Sequence, residues 1–188
     1  MIKTRKDLRF YLKEDAKRNG ITSWWKYRLH LLMAVENARV YHFLVCLRNC
    51  EFHFNNRNSK YHHVLYLYYQ FKKSILGTKY HIKIPLNKVG YGVRIMHLSG
   101  GGGILLNIET AGNYCGFNAG VLLGSTDDGG KPKLGNHVAF GPGSKAFGDI
   151  TIGDNVFVAP NSCVVKDVPS NVIVGGVPAK IIKERDIK

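Results

Sequence analysis

The stretch RIMHLSGGGGILL, residues 94–106, combines one titratable side chain with much bare backbone. His97 follows a short run of alternating apolar residues and precedes four consecutive glycines, residues 100–103. An imidazole with an unperturbed pKa of about 6.5 can take up a proton at neutral pH, which suits general-base catalysis. Glycines allow unusual dihedral angles and let another molecule come close to the backbone. The segment therefore fits a catalytic loop or an ordinary surface turn with a histidine, and the rest of the chain must decide.

The charge of the chain is large and uneven. The 188 residues carry a formal charge of +14, and residues 1–80 hold 16 Lys and Arg against 5 Asp and Glu. Such a basic half suits an anionic ligand, nucleic acid or an anionic membrane surface, or is only a solvated helical surface. Tyr66, Tyr68 and Tyr69 follow a helical pattern, whereas base-stacking aromatics usually lie on sheets or in grooves, so we predict no nucleic-acid partner. Peripheral contact with a membrane stays open.

Cysteine usage and hydropathy point to a reducing setting. The four cysteines include no C-x-x-C pair, and Cys46 and Cys50 share a helix face, so we expect packed thiols. The N-terminal segment has no apolar core of a signal peptide. The most apolar stretch, residues 29–47, contains Glu36 and Arg39, which makes it a poor membrane span. We therefore expect a cytoplasmic protein.

Residues 1–80 have the apolar spacing of helices. Thr4 is predicted to cap a first helix that stops at Gly20, and Ser23 to cap a second helix that runs to residue 49. The second helix has apolar residues at spacings of three and four: Trp25, Leu29, Leu32, Val40, Phe43, Leu44 and Leu47. A third helix is expected to end near Gly77.

After about residue 80 the period changes to six. From Leu134 the chain reads as six blocks without a slip: LGNHVA, FGPGSK, AFGDIT, IGDNVF, VAPNSC and VVKDVP. Upstream, four apolar residues are also six apart: Leu105, Ala111, Phe117 and Leu123. The step from Leu123 to Leu134 is eleven, so a loop must interrupt the repeat there. Short strands at a fixed period predict a β-solenoid whose apolar first positions point inward and stack. The predicted domains are a helical region, residues 1–80, and a solenoid, residues 81–188.

The hexads and the closing segment VVKDVPSNVIVGGVPAKIIK, residues 164–183, resemble the hexapeptide-repeat acyltransferases, and among them the serine acetyltransferases. Helices before the solenoid are a further likeness to the serine acetyltransferases, and the resemblance covers about residues 84–183. It implies an α+β fold class, with an N-terminal helical region followed by a left-handed parallel β-helix. It also implies a homotrimer, or a multiple of three, and acetyl-CoA as co-substrate.

The resemblance also assigns roles to single residues. His97 stands where the serine acetyltransferases have their catalytic histidine, so it is expected to act as general base. Coenzyme A lies between neighbouring solenoids in the family, along coil edges. Matching motifs place five residues beside it: Gly124, Ser144, Lys145, Pro160 and Lys180. The lysines suit phosphates, whereas Ser144 and Pro160 are almost as well explained as ordinary coil corners.

Three positions depart from the family pattern. Ile82 replaces an aspartate that commonly orients the histidine, Met96 replaces an aspartate that helps to bind serine, and Lys131 replaces a histidine that contacts serine. These departures favour another acceptor, namely a sugar hydroxyl in the synthesis of a surface glycan. Asp127, Asp128 and Lys131 lie on the loop that interrupts the repeat, and they are candidates for acceptor contact or members of a solvated turn.

Two other functions stay open: a true serine O-acetyltransferase of cysteine biosynthesis, and a non-catalytic solenoid scaffold. His97 with its glycines favours an enzyme, because a scaffold has no need of them. The sequence has no nucleophile-elbow serine, so direct transfer to the acceptor is expected. A catalytic zinc usually has three protein ligands, and only His97 and His137 follow residue 81, so we predict no metal.

Overall fold

The computed structural model describes residues 1–98, 102–127 and 129–186. Helices come first and short strands follow, as the predicted fold class requires. The helices are α1 (Arg5–Arg18), α2 (Trp24–Leu32), α3 (Glu36–Asn55) and α4 (Lys60–Tyr80). His81 ends α4 in a left-handed conformation, with φ of 55°. The fourth helix therefore continues beyond Gly77, where the sequence predicted its end.

The first helix begins as predicted. Thr4 Oγ1 accepts a hydrogen bond from the Asp7 N–H at 3.1 Å, and Asp7 Oδ2 accepts one from the Thr4 N–H at 2.8 Å. This reciprocal pair is a capping box, which satisfies two backbone donors that the start of a helix leaves unpaired. Gly20, with φ of 70°, follows the end of the helix.

The predicted second helix is wrong as a single element, because it is two helices. Ala34 has φ of 59°, and the N–H groups of Ala34 and Val35 donate to the carbonyls of Leu31 and His30. This pattern is the Schellman motif that ends many helices, usually at a glycine. The seven apolar residues at helical spacing are accordingly divided between two helices. Those of α2 are 55–85% exposed, namely Trp25, Leu29 and Leu32, and those of α3 are buried: Val40, Phe43, Leu44 and Leu47.

Three parallel sheets form the walls of the solenoid. The strands are β1 (Ile82–Lys83), β2 (Arg94–Met96), β3 (Ile104–Leu106), β4 (Thr110–Ala111), β5 (Gly116–Asn118), β6 (Leu122–Gly124), β7 (Lys133–Leu134), β8 (Ala139–Phe140), β9 (Lys145–Phe147), β10 (Thr151–Ile152), β11 (Phe157–Val158), β12 (Cys163–Val164), β13 (Val172–Gly176) and β14 (Ala179–Glu184). The first sheet has the order β1-β3-β6-β9-β12, the second β4-β7-β10, and the third β2-β5-β8-β11-β13-β14. Only β14 runs antiparallel, against β13.

Apolar side chains from successive coils stack inside the walls. All six first positions of the predicted blocks are at most 4% exposed: Leu134, Phe140, Ala146, Ile152, Val158 and Val164. The prediction for Leu105 is wrong, because this side chain is 37% exposed and its neighbour Leu106 is buried instead. Leu106 pairs with Leu123 in the first sheet, and Leu123 pairs with Ala146.

This register reveals two interruptions of the repeat rather than one. The step between inward residues is eleven from Ile95 to Leu106 and again eleven from Leu123 to Leu134. The first interruption, residues 97–103, lies where the chain passes from the third sheet to the first. The second, residues 125–132, lies where it passes from the first sheet to the second. Both segments that the sequence singled out for chemistry are therefore long insertions, since the other steps between inward residues from Val89 to Val164 are five or six.

A buried ion network fastens the helices to the first coil. Arg48, on α3, is 0% exposed, and its Nε donates to Asp15 Oδ2 of α1 at 2.8 Å. Its Nη1 donates to Glu51 Oε2 at 3.0 Å, and the guanidinium also donates to the carbonyls of Val89 and Gly90. Burial alone would lower the pKa of Arg48, but the carboxylates of Glu51 and Asp15 outweigh it and raise that pKa above its usual range.

The two carboxylates of this network also reach the solenoid backbone. Asp15 Oδ1 accepts from the Val93 N–H at 3.0 Å, and Glu51 Oε1 accepts from the Asn87 N–H at 2.8 Å. Removing the guanidinium would leave two buried carboxylates without their counter-charge. This loss would destabilise the fold by far more than the intact ion pair stabilises it.

We expect Arg48→Ala to lower the free energy of unfolding by about 3–5 kcal/mol. The control is Lys88→Ala, which breaks an exposed pair with Glu109 and should cost about 1 kcal/mol or less. Urea unfolding followed by circular dichroism, at one protein concentration, measures both variants. A loss for Arg48→Ala no larger than that of the control would contradict the structural role of the network.

Candidate functional site

His97 is the first residue after β2, at the start of the first interruption. Its side chain is exposed, and its φ of 62° lies in the left-handed region that non-glycine residues rarely adopt. Its backbone N–H donates to Glu36 Oε1, at the first turn of α3, over 2.7 Å. The imidazole is thus accessible to a substrate, on a backbone that a helix holds in place.

His97 begins a ridge that runs along the prism, which we call the His97 edge. It consists of the described residues at the corners between the third and first sheets: residues 97–98, 102–103, 119–121, 141–144 and 159–162. Gly120, Gly143 and Asn161 are left-handed there, with φ between 57° and 76°. Their N–H groups each donate to a carbonyl of the coil before, at 2.9 Å. The edge is therefore a stack of nearly bare backbone, along which an extended ligand can lie close.

Several of the predicted cofactor residues lie along the His97 edge. Lys145 is exposed, and its Nζ donates to the Gly143 carbonyl at 3.0 Å, so the ammonium sits over the corner. Pro160 is exposed on the next coil. Ser144 is 0% exposed, and its hydroxyl donates to the Gly141 carbonyl at 2.6 Å, which gives this side chain a structural partner. Lys180 is exposed on β14, at the far end of the third sheet.

The remaining predicted residues lie on the opposite border of the first sheet. Gly124 ends β6 and is buried, and a Cβ there would come within 2.8 Å of the Phe147 ring, so packing requires a glycine. Asp127 is exposed and Lys131 is partly exposed in the second interruption, whereas Asp128 lies outside the described residues. A single chain therefore does not bring these residues to the His97 edge.

Ile82 and Met96, two residues that differ from the family pattern, lie in different environments. Ile82, in the position of the orienting aspartate, is 3% exposed and belongs to the core, so an ionised group is replaced there by an apolar one. Met96 is the last residue of β2 and is partly exposed beside His97. Its thioether is only a weak hydrogen-bond acceptor and carries no charge for a cationic substrate.

A cleft of about 760 Å³ opens beside the His97 edge. It lies between the end of α4 and the first strands of the first sheet, and Gly103 and Gly120 of the edge line it. Three basic residues also line it: Lys73, His81 and Lys83. The lining of the cleft is largely apolar and includes a few basic residues. This arrangement suits an elongated anionic ligand.

Three cysteines are buried, namely Cys46, Cys50 and Cys115, as predicted for the first two, whereas Cys163 is partly exposed. Burial raises the pKa of Cys46 to about 11, that of Cys50 to about 12 and that of Cys115 to about 11. Since the thiolate is the nucleophilic form, these three thiols are unreactive at neutral pH. None of them can serve as an acyl carrier there.

Glu36 is the contact that sequence reasoning missed. Within a single helix over residues 24–49 it would be an interior residue with no special role. The left-handed turn at Ala34 instead makes Glu36 the first residue of α3, where a carboxylate also interacts favourably with the helix dipole.

Over residues 1–98, 102–127 and 129–186, no three histidine, cysteine, aspartate or glutamate side chains cluster as metal ligands. Within the same ranges no helix is long and apolar enough to cross a membrane.

Comparison with known proteins shows that this chain is similar to serine acetyltransferases. The chain is 38% identical over 119 residues to the serine acetyltransferase of Synechococcus elongatus, a match over 61% of this chain and 46% of the relative. It is 33% identical over 122 residues to that of Staphylococcus aureus strain Mu50, covering 63% of this chain and 55% of the relative. The chain thus spans about half the length of these curated relatives. No family model matches it.

Solved structures give the same answer for the fold. Serine acetyltransferase from Brucella abortus matches 96% of this chain and 69% of its own, at a TM-score of 0.68 and 26% identity. A serine acetyltransferase in complex with CoA matches 95% of this chain and 71% of its own, at a TM-score of 0.69 and 26% identity. The resemblance of this chain to the hexapeptide-repeat serine acetyltransferases is therefore confirmed in sequence and in fold.

Proposed function

We propose that this protein is an acetyl-CoA-dependent O-acetyltransferase in which His97 is the general base. The observation that carries the proposal is an exposed histidine at the head of a bare backbone edge, in a chain 38% identical to a serine acetyltransferase over 119 residues. His81 and His137 are also exposed and left-handed, so the likeness to a serine acetyltransferase and the position of His97 beside the bare edge are what favour an enzyme over a scaffold.

The reaction is direct transfer. His97 takes the proton from the acceptor hydroxyl as its oxygen attacks the thioester carbonyl carbon, which forms a tetrahedral oxyanion. Backbone N–H groups stabilise that oxyanion. When it collapses, the carbon–sulfur bond breaks, and the coenzyme A thiolate receives the proton that the imidazolium holds. No acyl-enzyme is needed, which agrees with the raised pKa values of Cys46, Cys50 and Cys115.

The His97 edge is the proposed place for acetyl-CoA. Its stacked corners allow close approach of the pantetheine, and Lys145 and Lys180 supply cations for the phosphates. Pro160 adds an exposed apolar surface, whereas Ser144 is buried and its hydroxyl, N–H and carbonyl are all bonded within the solenoid, so its role is structural. A serine acetyltransferase of the same fold has been crystallised with CoA, which supports this co-substrate.

We propose a trimer, or a multiple of three, because the acceptor residues and His97 lie at different edges of one prism. Asp127 and Lys131 flank one border of the first sheet and His97 the other. A neighbouring prism can bring its second interruption to the His97 edge, and cyclic symmetry then builds three equal sites.

The acceptor best supported by the relatives is L-serine. Met96 and Lys131 favour the second candidate, a sugar hydroxyl, because Met96 offers no anion for the serine ammonium group. L-serine is the first choice if Asp127 supplies that anion from the second interruption. Lys131 then suits the serine carboxylate.

Peripheral membrane contact is a finer proposal that rests on α2. Its outward face carries Trp25, Leu29 and Leu32, between 55% and 85% exposed, with Lys26 and Arg28 on either side. An apolar stripe between cations is the pattern of helices that lie in the interface of anionic membranes.

We expect His97→Ala to lower the kcat of acetyl transfer by about 10²–10⁴-fold, the usual contribution of a general base. His137→Ala is the matched control, because His137 is also exposed and left-handed but lies at another edge. Release of free thiol from acetyl-CoA, in the presence of acceptor, measures turnover. If His97→Ala keeps more than about a third of wild-type kcat, far outside that range, His97 is not the base.

We expect Asp127→Asn to lower kcat/KM for L-serine by about tenfold to a hundredfold, since a hydrogen bond to a charged group is worth about 1.5–3 kcal/mol. Asp149→Asn is the control, because Asp149 is exposed and pairs with Lys133. Steady-state kinetics with L-serine and a panel of sugars decide between acceptors. A sugar that exceeds L-serine in kcat/KM would replace serine with the second candidate.

Vesicle sedimentation tests the membrane contact. Wild type should bind phosphatidylcholine vesicles that contain phosphatidylserine, less so at high salt, because added ions screen the attraction of exposed charges. Trp25→Ser should reduce binding, and Val177→Ser, at an equally exposed site of 75%, should not. Equal binding by both variants would remove α2 from the proposal.

A further inference from the structure

The backbone of His97 lies at an end of the solenoid wall. Strand β2 is the terminal strand of the third sheet, so among the described residues no further strand follows on its outer side. On its inner side Met96 pairs with Asn118 of β5, so His97 follows the outermost strand of the third sheet. A helix supplies the acceptor for its N–H: Glu36 Oε1 accepts it at 2.7 Å.

We infer that Glu36 is the positioning residue that holds His97 in its working conformation, and this inference rests on the proposed role of His97. A left-handed φ of 62° is unfavourable for a residue with a Cβ, and such strain persists only where surrounding contacts hold it. Glu36 supplies a side-chain oxygen that accepts a hydrogen bond from that residue's own N–H at 2.7 Å.

The helix that carries Glu36 is itself fixed on the same coil. Arg48, twelve residues along α3, donates to the carbonyls of Val89 and Gly90, and Glu51 accepts from the Asn87 N–H. Because α3 is bound to the first coil at one end, its first turn is held at a defined place over the His97 corner. Glu36 thereby acts on the backbone of His97, whereas the aspartate replaced by Ile82 would act on the ring.

Two substitutions separate positioning from a general effect on α3. Glu36→Ala removes the acceptor, and Glu36→Gln keeps an acceptor oxygen while it removes the charge. A merely structural role at the start of α3 depends on the negative charge near the helix N-terminus, and both variants lose it. Positioning depends on the acceptor, so Glu36→Gln should behave like wild type and Glu36→Ala should not.

The first measurement is hydrogen exchange of the His97 amide, which needs no activity. We expect exchange about tenfold faster or more in Glu36→Ala, near the wild-type rate in Glu36→Gln, and unchanged in the control Asp7→Ala, which removes the carboxylate that caps α1. The second measurement is kinetic: kcat should fall about tenfold or more in Glu36→Ala with the KM for acetyl-CoA unchanged, and Glu36→Gln should restore it.

The exchange and kinetic results together separate the positioning role of Glu36 from the proposed function. Unchanged exchange in Glu36→Ala, or equal kinetic losses in both variants, overturns the positioning role. Faster exchange with undiminished kcat also overturns it, because His97 then works without the contact. If wild type transfers no acetyl group to any acceptor, the proposed function fails, and exchange still reports whether Glu36 holds the corner.

Discussion

The placement of the candidate base depends on the burial of one guanidinium. Arg48 has no access to water, so its charge is compatible with the core only because Asp15 and Glu51 surround it. Those carboxylates also accept hydrogen bonds from N–H groups of the first coil, and the guanidinium donates to carbonyl groups of the same coil. The same contacts that make the charge tolerable therefore dock α1 and α3 on the solenoid. Glu36 reaches His97 only because that docking fixes α3.

The regular coils of the prism form the packed core, and the interruptions of the repeat hold the candidate functional residues. Inward positions such as Phe117, Phe140 and Val158 are fully buried, and each coil repeats the same parallel register. The inward residues of such a wall are committed to packing, which leaves them little freedom for chemistry. His97 and Asp127 lie instead in the two eleven-residue steps between inward residues. Loops on a rigid scaffold are where function usually lies.

Sequence reasoning found what depends on local pattern. The cap at Thr4 and the hexad column from Leu134 to Val164 follow from local signals, and the structure reproduces both. It failed where tertiary contacts decide. The Schellman turn at Ala34 has neither glycine nor proline to announce it, so two helices were read as one. One residue of register separates Leu105 from Leu106, and a strand's alternation makes that a change of face.

The same limit explains why Glu36 was invisible and why the site is incomplete in one chain. The contact between Glu36 and His97 spans 61 residues, and no periodicity encodes it. His97 and Asp127 are only thirty residues apart, yet the first sheet lies between them. A prism cannot fold one edge onto another, because its buried columns fix all three walls. If both residues serve one acceptor, catalysis and assembly are coupled: the substrate that bridges two prisms must also stabilise their association, since a ligand stabilises the form it binds.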